Sequence, residues 1–124
     1  MADYLLVYEG GDPNWMESAP PEDVQAVMAQ WGAWFKELES KGVLRNPGSA
    51  LSPGGATVRK SGDDFVTDTT MAEVKELIGG FSIIQAGSIE EAAKIAEGSP
   101  FFAEEADDLR IRIQAIFEPG GSEG

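Results

Sequence analysis

The apolar positions of the chain follow two periods, one of strands and one of helices. Residues 4–9 carry Leu5 and Val7 on one alternating set and Tyr4, Leu6 and Tyr8 on the other. Both sets are apolar, which predicts a strand that needs cover on both faces. Between 21 and 41, Val24, Val27, Met28, Trp31, Trp34, Phe35 and Leu38 recur at three- and four-residue steps, so a helix with one buried stripe is expected. Pro21 suits a first helical turn, Glu22 and Asp23 suit the positive end of the helix dipole, and Gly42 supplies a stop.

Turn-forming residues punctuate the rest. Gly10 to Asn14 reads as a loop, and the Pro, Gly and Ser content of 46–55 as a connection. Residues 56–60 and 65–68 flank Ser61, Gly62, Asp63 and Asp64 as a hairpin. The run 80–86 alternates Phe81, Ile83 and Gln85 with Ser82, Ile84 and Ala86, a core strand. Ser88 and Glu91 have capping-box spacing ahead of Ile89, Ala92, Ala93 and Ala96, which predicts a short helix ending near Gly98 and Pro100. In 109–117, Leu109, Ile111, Ile113, Ala115 and Phe117 share one strand face, and Arg110, Arg112, Gln114 and Ile116 the other. The tail 119–124 has nothing to bury and is expected to be disordered. The order matches a βαββαβ plan with an added hairpin strand, α+β in class, in one domain over 1–118. Helices would cover one face of an antiparallel sheet, and the other face is expected to be covered by a second copy.

Composition narrows the chemistry. The 124 residues contain neither cysteine nor histidine. Disulfides, thiolate metal sites, cysteine nucleophiles, serine-histidine triads and nitrogen-rich zinc sites are therefore excluded. Proton transfer would fall to a carboxylate, a lysine or a tyrosine with a shifted pKa. A formal net charge of −13, from 22 Asp and Glu against 9 Lys and Arg, repels phosphate backbones and anionic membranes, so neither nucleic acid nor membrane is an expected partner. The first residues lack a basic head and a long apolar run, and no stretch approaches about 18 apolar residues. A soluble, cytoplasmic protein is expected.

Residues 68–81, Asp-Thr-Thr-Met-Ala-Glu-Val-Lys-Glu-Leu-Ile-Gly-Gly-Phe, resemble the YCII-related family, in the branch named for a DGPF motif. Asp68, Ala72, Glu73, Lys75, Glu76, Ile78, Gly79, Gly80 and Phe81 match the pattern. The opening strand, the Pro-Pro-Glu before the long helix, the later Gly-Val-Leu and the closing strand follow in order. The chain departs at Thr69, Thr70 and Met71, where the branch has Gly, Pro and Phe. The resemblance implies a ferredoxin-like fold whose sheets pair as a dimeric α+β barrel, with a cleft between sheet and loops. A His-Asp pair associated with another branch has no counterpart here.

Asp68, Glu73 and Lys75 are the candidate catalytic group. A carboxylate desolvated in a cleft could act as general base, and an ammonium could hold an enolate-like intermediate without a cofactor. A structural reading stands beside it: Thr70 and Glu73 have capping-box spacing, Met71, Val74 and Ile78 share a helical face, and Gly79 ends the turn. Glu76, Arg110, Arg112 and the loop aromatic Trp15 are candidate ligand contacts. For the arginines the competing reading is a salt bridge across strands or across a dimer. Trp31, Trp34 and Phe35 read as pocket lining or as core. Asp63, Asp64 and Asp68 lack the spacing of a calcium loop, so no metal is expected. Two functions remain open: a homodimer that binds a small molecule, with or without carboxylate acid/base chemistry, and a non-catalytic interaction or regulatory module whose acidity suits a basic partner.

Overall fold

The computed structural model describes residues 1–12, 14–52, 54–69, 78–103, 106 and 108–119. Within them the chain runs β1 (Ala2–Glu9), α1 (Trp15–Ser18), α2 (Pro21–Ser40), β2 (Leu44–Ala50), β3 (Thr57–Ser61), β4 (Asp64–Asp68), β5 (Ile78–Ala86), α3 (Ile89–Glu97), a 3-10 turn (Pro100–Ala103) and β6 (Arg110–Ala115). Four strands form a sheet in the order β2-β5-β1-β6, every neighbour antiparallel. With the β3-β4 hairpin set aside, the order of elements is βαββαβ, and the fold is mixed α+β of the ferredoxin-like kind.

Local chemistry accounts for the helix ends. Ser88 Oγ accepts the Glu91 amide at 3.1 Å, and the Glu91 carboxylate reaches back to the Gly87 amide at 3.1 Å. Two otherwise orphaned amides at the start of α3 are satisfied. α2 begins with Pro21 and closes before Gly42, whose φ of +73° few other residues adopt.

Both longer helices lie on one sheet face. Leu6 and Ile84 are fully buried there, with Tyr4, Tyr8 and Ala86 from the strands, Trp34 and Leu38 from α2, Ala92 and Ala96 from α3, and Phe101 from the 3-10 turn. The small residues of α3 let it sit close to the sheet. The stripe of α2 is not uniformly core. Trp34 and Leu38 are buried, whereas Val24, Val27, Trp31 and Phe35 are half-buried and Met28 is exposed. The middle of the helix, from Val27 to Phe35, lines a cavity.

Two expectations change. Residues 46–55 were expected to be a connection, but 44–50 form the edge strand β2. Its register against β5 shifts between Leu44 and Asn46 and again between Asn46 and Ser49, which accommodates Pro47 and Gly48, residues that an edge strand tolerates and a central strand does not. Gly48 is required at φ +76°, and a Cβ there would collide with the Phe81 carbonyl oxygen. The hairpin, for its part, does not extend the main sheet. Among the described residues β3 and β4 pair only with each other, and their apolar side chains are exposed, Val58 at 62% and Phe65 at 70%. The tail 120–124 lies outside the described residues. No described helix is long and apolar enough to cross a membrane.

Candidate functional site

A cavity of about 260 Å³ opens on the helix-covered face, between the middle of α2 and the ends of β1, β2 and β5. Its size suits a small molecule, just under the roughly 300–1,000 Å³ of sites for drug-sized ligands. β1 contributes Tyr8 and continues into Gly10 and Gly11; the following loop and α1 add Asp12, Trp15 and Met16. α2 presents Val27, Met28, Trp31 and Phe35. Residues 47–51 and 78–82 form the opposite side, and Phe101 closes the back. Strand alternation brings Tyr8 here: it shares the inward set with Tyr4 and Leu6, and its ring meets Trp31 edge-on at 5.1 Å and Phe101 at 5.3 Å. Trp31 in turn packs on Phe35 at 5.6 Å.

One polar chain crosses this apolar wall. The Tyr8 hydroxyl donates to Ser82 Oγ at 2.8 Å, and Ser82 Oγ donates to the Pro47 carbonyl at 2.8 Å. Ser82 is fully buried, so both bonds lie where an unmade one would be costly. Burial pushes the Tyr8 phenol up to about 12, against the opposing pull of the hydrogen bond with Ser82. The phenol therefore stays protonated at neutral pH and is no general base there. Gly10 sits at φ +94°, where a Cβ would collide with the Asp108 carbonyl oxygen, and the Gly11 amide donates to Asp108 Oδ1 at 3.3 Å. These contacts hold the end of β1 against the segment that leads into β6.

The candidate residues divide by position. Trp15 lines the cavity, and it begins a short helix rather than lying in an irregular loop. Asp68 ends β4 on the hairpin, exposed and apart from the cavity wall. Glu73, Lys75 and Glu76 lie outside the described residues, as do Thr70 and Met71. Ile78, the first described residue after them, is in the cavity wall. Arg110 and Arg112 lie on the other face of the sheet, where both hold one carboxylate: Arg110 Nε meets Glu9 Oε1 at 2.7 Å and Arg112 Nη2 meets Glu9 Oε2 at 2.8 Å. Glu9 faces Arg110 directly across the β1-β6 ladder, and Arg112 is one same-face step along. This is the salt bridge across strands that was the alternative to a ligand contact.

Tyr8, Ser82 and the wall from α2 and β2 were not singled out by sequence, apart from Trp31 and Phe35 as one of two readings. Ser82 carried a usable signal: it is a hydroxyl between Gly80 and Ile84 on the inward set of a core strand, a place that needs a buried partner. Among the described residues no group of three or more Asp or Glu could hold a metal ion.

A four-stranded antiparallel sheet with two helices on one face, and a cavity under the longer helix, places the molecule in the ferredoxin-like α+β class. Within that class the chain belongs to the YCII-related domain family, whose model matches residues 4–112. Comparison with curated proteins finds no match.

Proposed function

We propose that this YCII-related protein is a small-molecule-binding homodimer, and that its ligand occupies the cavity beneath α2. The observation that carries this reading is the stripe of α2: Val27, Met28, Trp31 and Phe35 have the spacing of core residues, yet they line empty space. Apolar walls with a single placed polar group are the usual form of a small-ligand site. Acid/base chemistry would come from the motif residues Glu73 or Glu76, with Lys75 as the cation. Asp68 would contribute only if the ligand extended toward the hairpin. The dimer is supported by the outer sheet face, where Leu5, Phe81 and Ile83 remain half-buried with no helix over them.

A thermal-shift screen of small aromatic fragments tests the binding. Fragments are expected to raise the Tm of the wild type and to lose that effect in Val27→Phe, which fills the cavity. Shifts that persist unchanged in Val27→Phe would place the ligand elsewhere. Light scattering checks the dimer, and a monomer at micromolar concentration would contradict it.

One observation favours the second reading, a protein-interaction module. Val58 and Phe65 are diagonal neighbours on one face of the hairpin and are largely exposed, and a two-stranded hairpin is marginal without further packing. A basic partner recovered by the wild type at low salt and lost in Phe65→Ser would establish that role.

A further inference from the structure

The polarity of the cavity wall goes further than its size and, given that the cavity binds a ligand, selects the ligand's charge. The direction of the hydrogen-bond chain is set by its last member. The Pro47 carbonyl can only accept, so Ser82 Oγ spends its proton on it, and the Ser82 oxygen then receives the proton of Tyr8. Tyr8 Oη is left with lone pairs and no proton to offer. A ligand group that meets it must be a donor.

The rest of the described wall has the same sign. Asp12 is its charged side chain, and no Lys or Arg is among the described residues that line it. Tyr8, Trp15, Trp31, Phe35 and Phe101 supply aromatic rings, whose faces are electronegative and attract cations. Arg110 and Arg112, which could have drawn an anion, are held by Glu9 on the opposite face. The net charge of −13 raises the local concentration of cations around the molecule and lowers that of anions.

We propose that the cavity is a site for a small organic cation, a protonated amine on an apolar or aromatic body, whose ammonium donates to Tyr8 Oη and sits against the aromatic rings. Its body would displace water from Val27, Met28 and Leu51, all cavity-lining apolar residues. Carboxylates and phosphates of similar shape are disfavoured at this end of the cavity, because they would oppose their lone pairs to those of Tyr8 and enter the field of a strongly acidic protein.

Three probes with one body and three head groups test this at pH 7: 2-phenylethylamine, 2-phenylethanol and phenylacetate, titrated by calorimetry into the full chain. The amine is expected to bind about tenfold tighter than the alcohol, within the range of cation-aromatic attraction, and phenylacetate to show no binding. Added salt should weaken the amine and leave the alcohol unchanged. Asp12→Asn preserves the side-chain oxygen that accepts the Asn14 amide at 2.9 Å, so the loop should keep its shape. It is expected to weaken the amine several-fold and leave the alcohol as it was. Tyr8→Phe, checked for folding by circular dichroism, should narrow the gap between amine and alcohol on the one side and a plain alkylbenzene on the other. If the alcohol equals or surpasses the amine, or phenylacetate binds most tightly, the cation assignment is overturned while the binding reading stands. If none of the three binds, or if binding survives in Val27→Phe, both fall.

Discussion

Tyr8 and Glu9 are adjacent in β1, point to opposite faces of one sheet, and keep a polar group out of water by opposite means. On the helix-covered face the Tyr8 phenol is buried by remaining neutral: desolvation raises its pKa, and it donates to Ser82, which donates in turn to the Pro47 carbonyl. On the other face Glu9 is 7% exposed, and its carboxylate is held by two guanidiniums at 2.7 and 2.8 Å. The difference shows where a ligand can be recognised. The Glu9 charge is matched by two arginines, whereas the neutral chain begins at Tyr8, a residue of the cavity wall. The inward face is thus the better candidate for chemistry, although the outward face holds more charge.

The contrast can be broken or sharpened by mutation. Leu6 is fully buried and Leu5, its outward neighbour, only partly. Leu6→Ala is expected to cost about 3 kcal/mol in urea unfolding, and Leu5→Ala about 1 kcal/mol in the dissociated protomer but nearer 3 kcal/mol in the proposed dimer, whose second copy covers it. If both cost the same, the outward face is packed as tightly as the inward one, as a stable second copy would make it.

The next effect is one of pH. The phenol of Tyr8 moves from 10.0 in the unfolded chain to about 12 in the fold. Between those values the unfolded state loses the proton first, so stability from this group is intact below pH 10 and falls as pH rises toward 12. The loss should approach about 2.5 kcal/mol. Comparing wild type with Tyr8→Phe at pH 9 and pH 11.5 isolates it, since the lysines titrate in both. An unchanged difference between the two proteins would show that the phenol is not held away from water.

On the outer face, replacing Arg110 and Arg112 together by Ala leaves the Glu9 carboxylate buried without its two cations. The guanidiniums are themselves half-exposed, 50% and 58%, so solvent screens much of the attraction, and about 1–2 kcal/mol is expected. A urea midpoint that does not move would mean that water, rather than arginine, satisfies Glu9, and the two faces would no longer differ in kind.

Elements whose signals are local were readable from the chain. The caps of α3, the Pro21 start of α2 and the alternation in β1, β5 and β6 each involve residues within four of one another. β2 was missed because Pro47 and Gly48 are loop residues by composition, and only pairing with β5 makes a strand of them. The cavity was missed for a related reason. Trp31 and Trp34 stand three residues apart on one stripe, and nothing in the spacing tells that Trp34 enters the core while Trp31 lines the void. Arg110 and Arg112 were recognisable as ion-pair formers, but their partner lies about a hundred positions away. The run 70–77, which carries Glu73, Lys75 and Glu76, lies outside the described residues, so those candidates still stand on the motif.

The sequence by itself determined the α+β class, the ends of two helices, the absence of imidazole and thiol chemistry, and the family. These follow from composition and from interactions a few residues long. The tertiary structure alone decided that β2 completes the sheet, that half of the α2 stripe walls a cavity, and that Tyr8 and Glu9 find their partners in Ser82 and in Arg110 and Arg112. Those outcomes depend on the register of strands far apart in the chain, and register is a collective result of packing that no local period encodes.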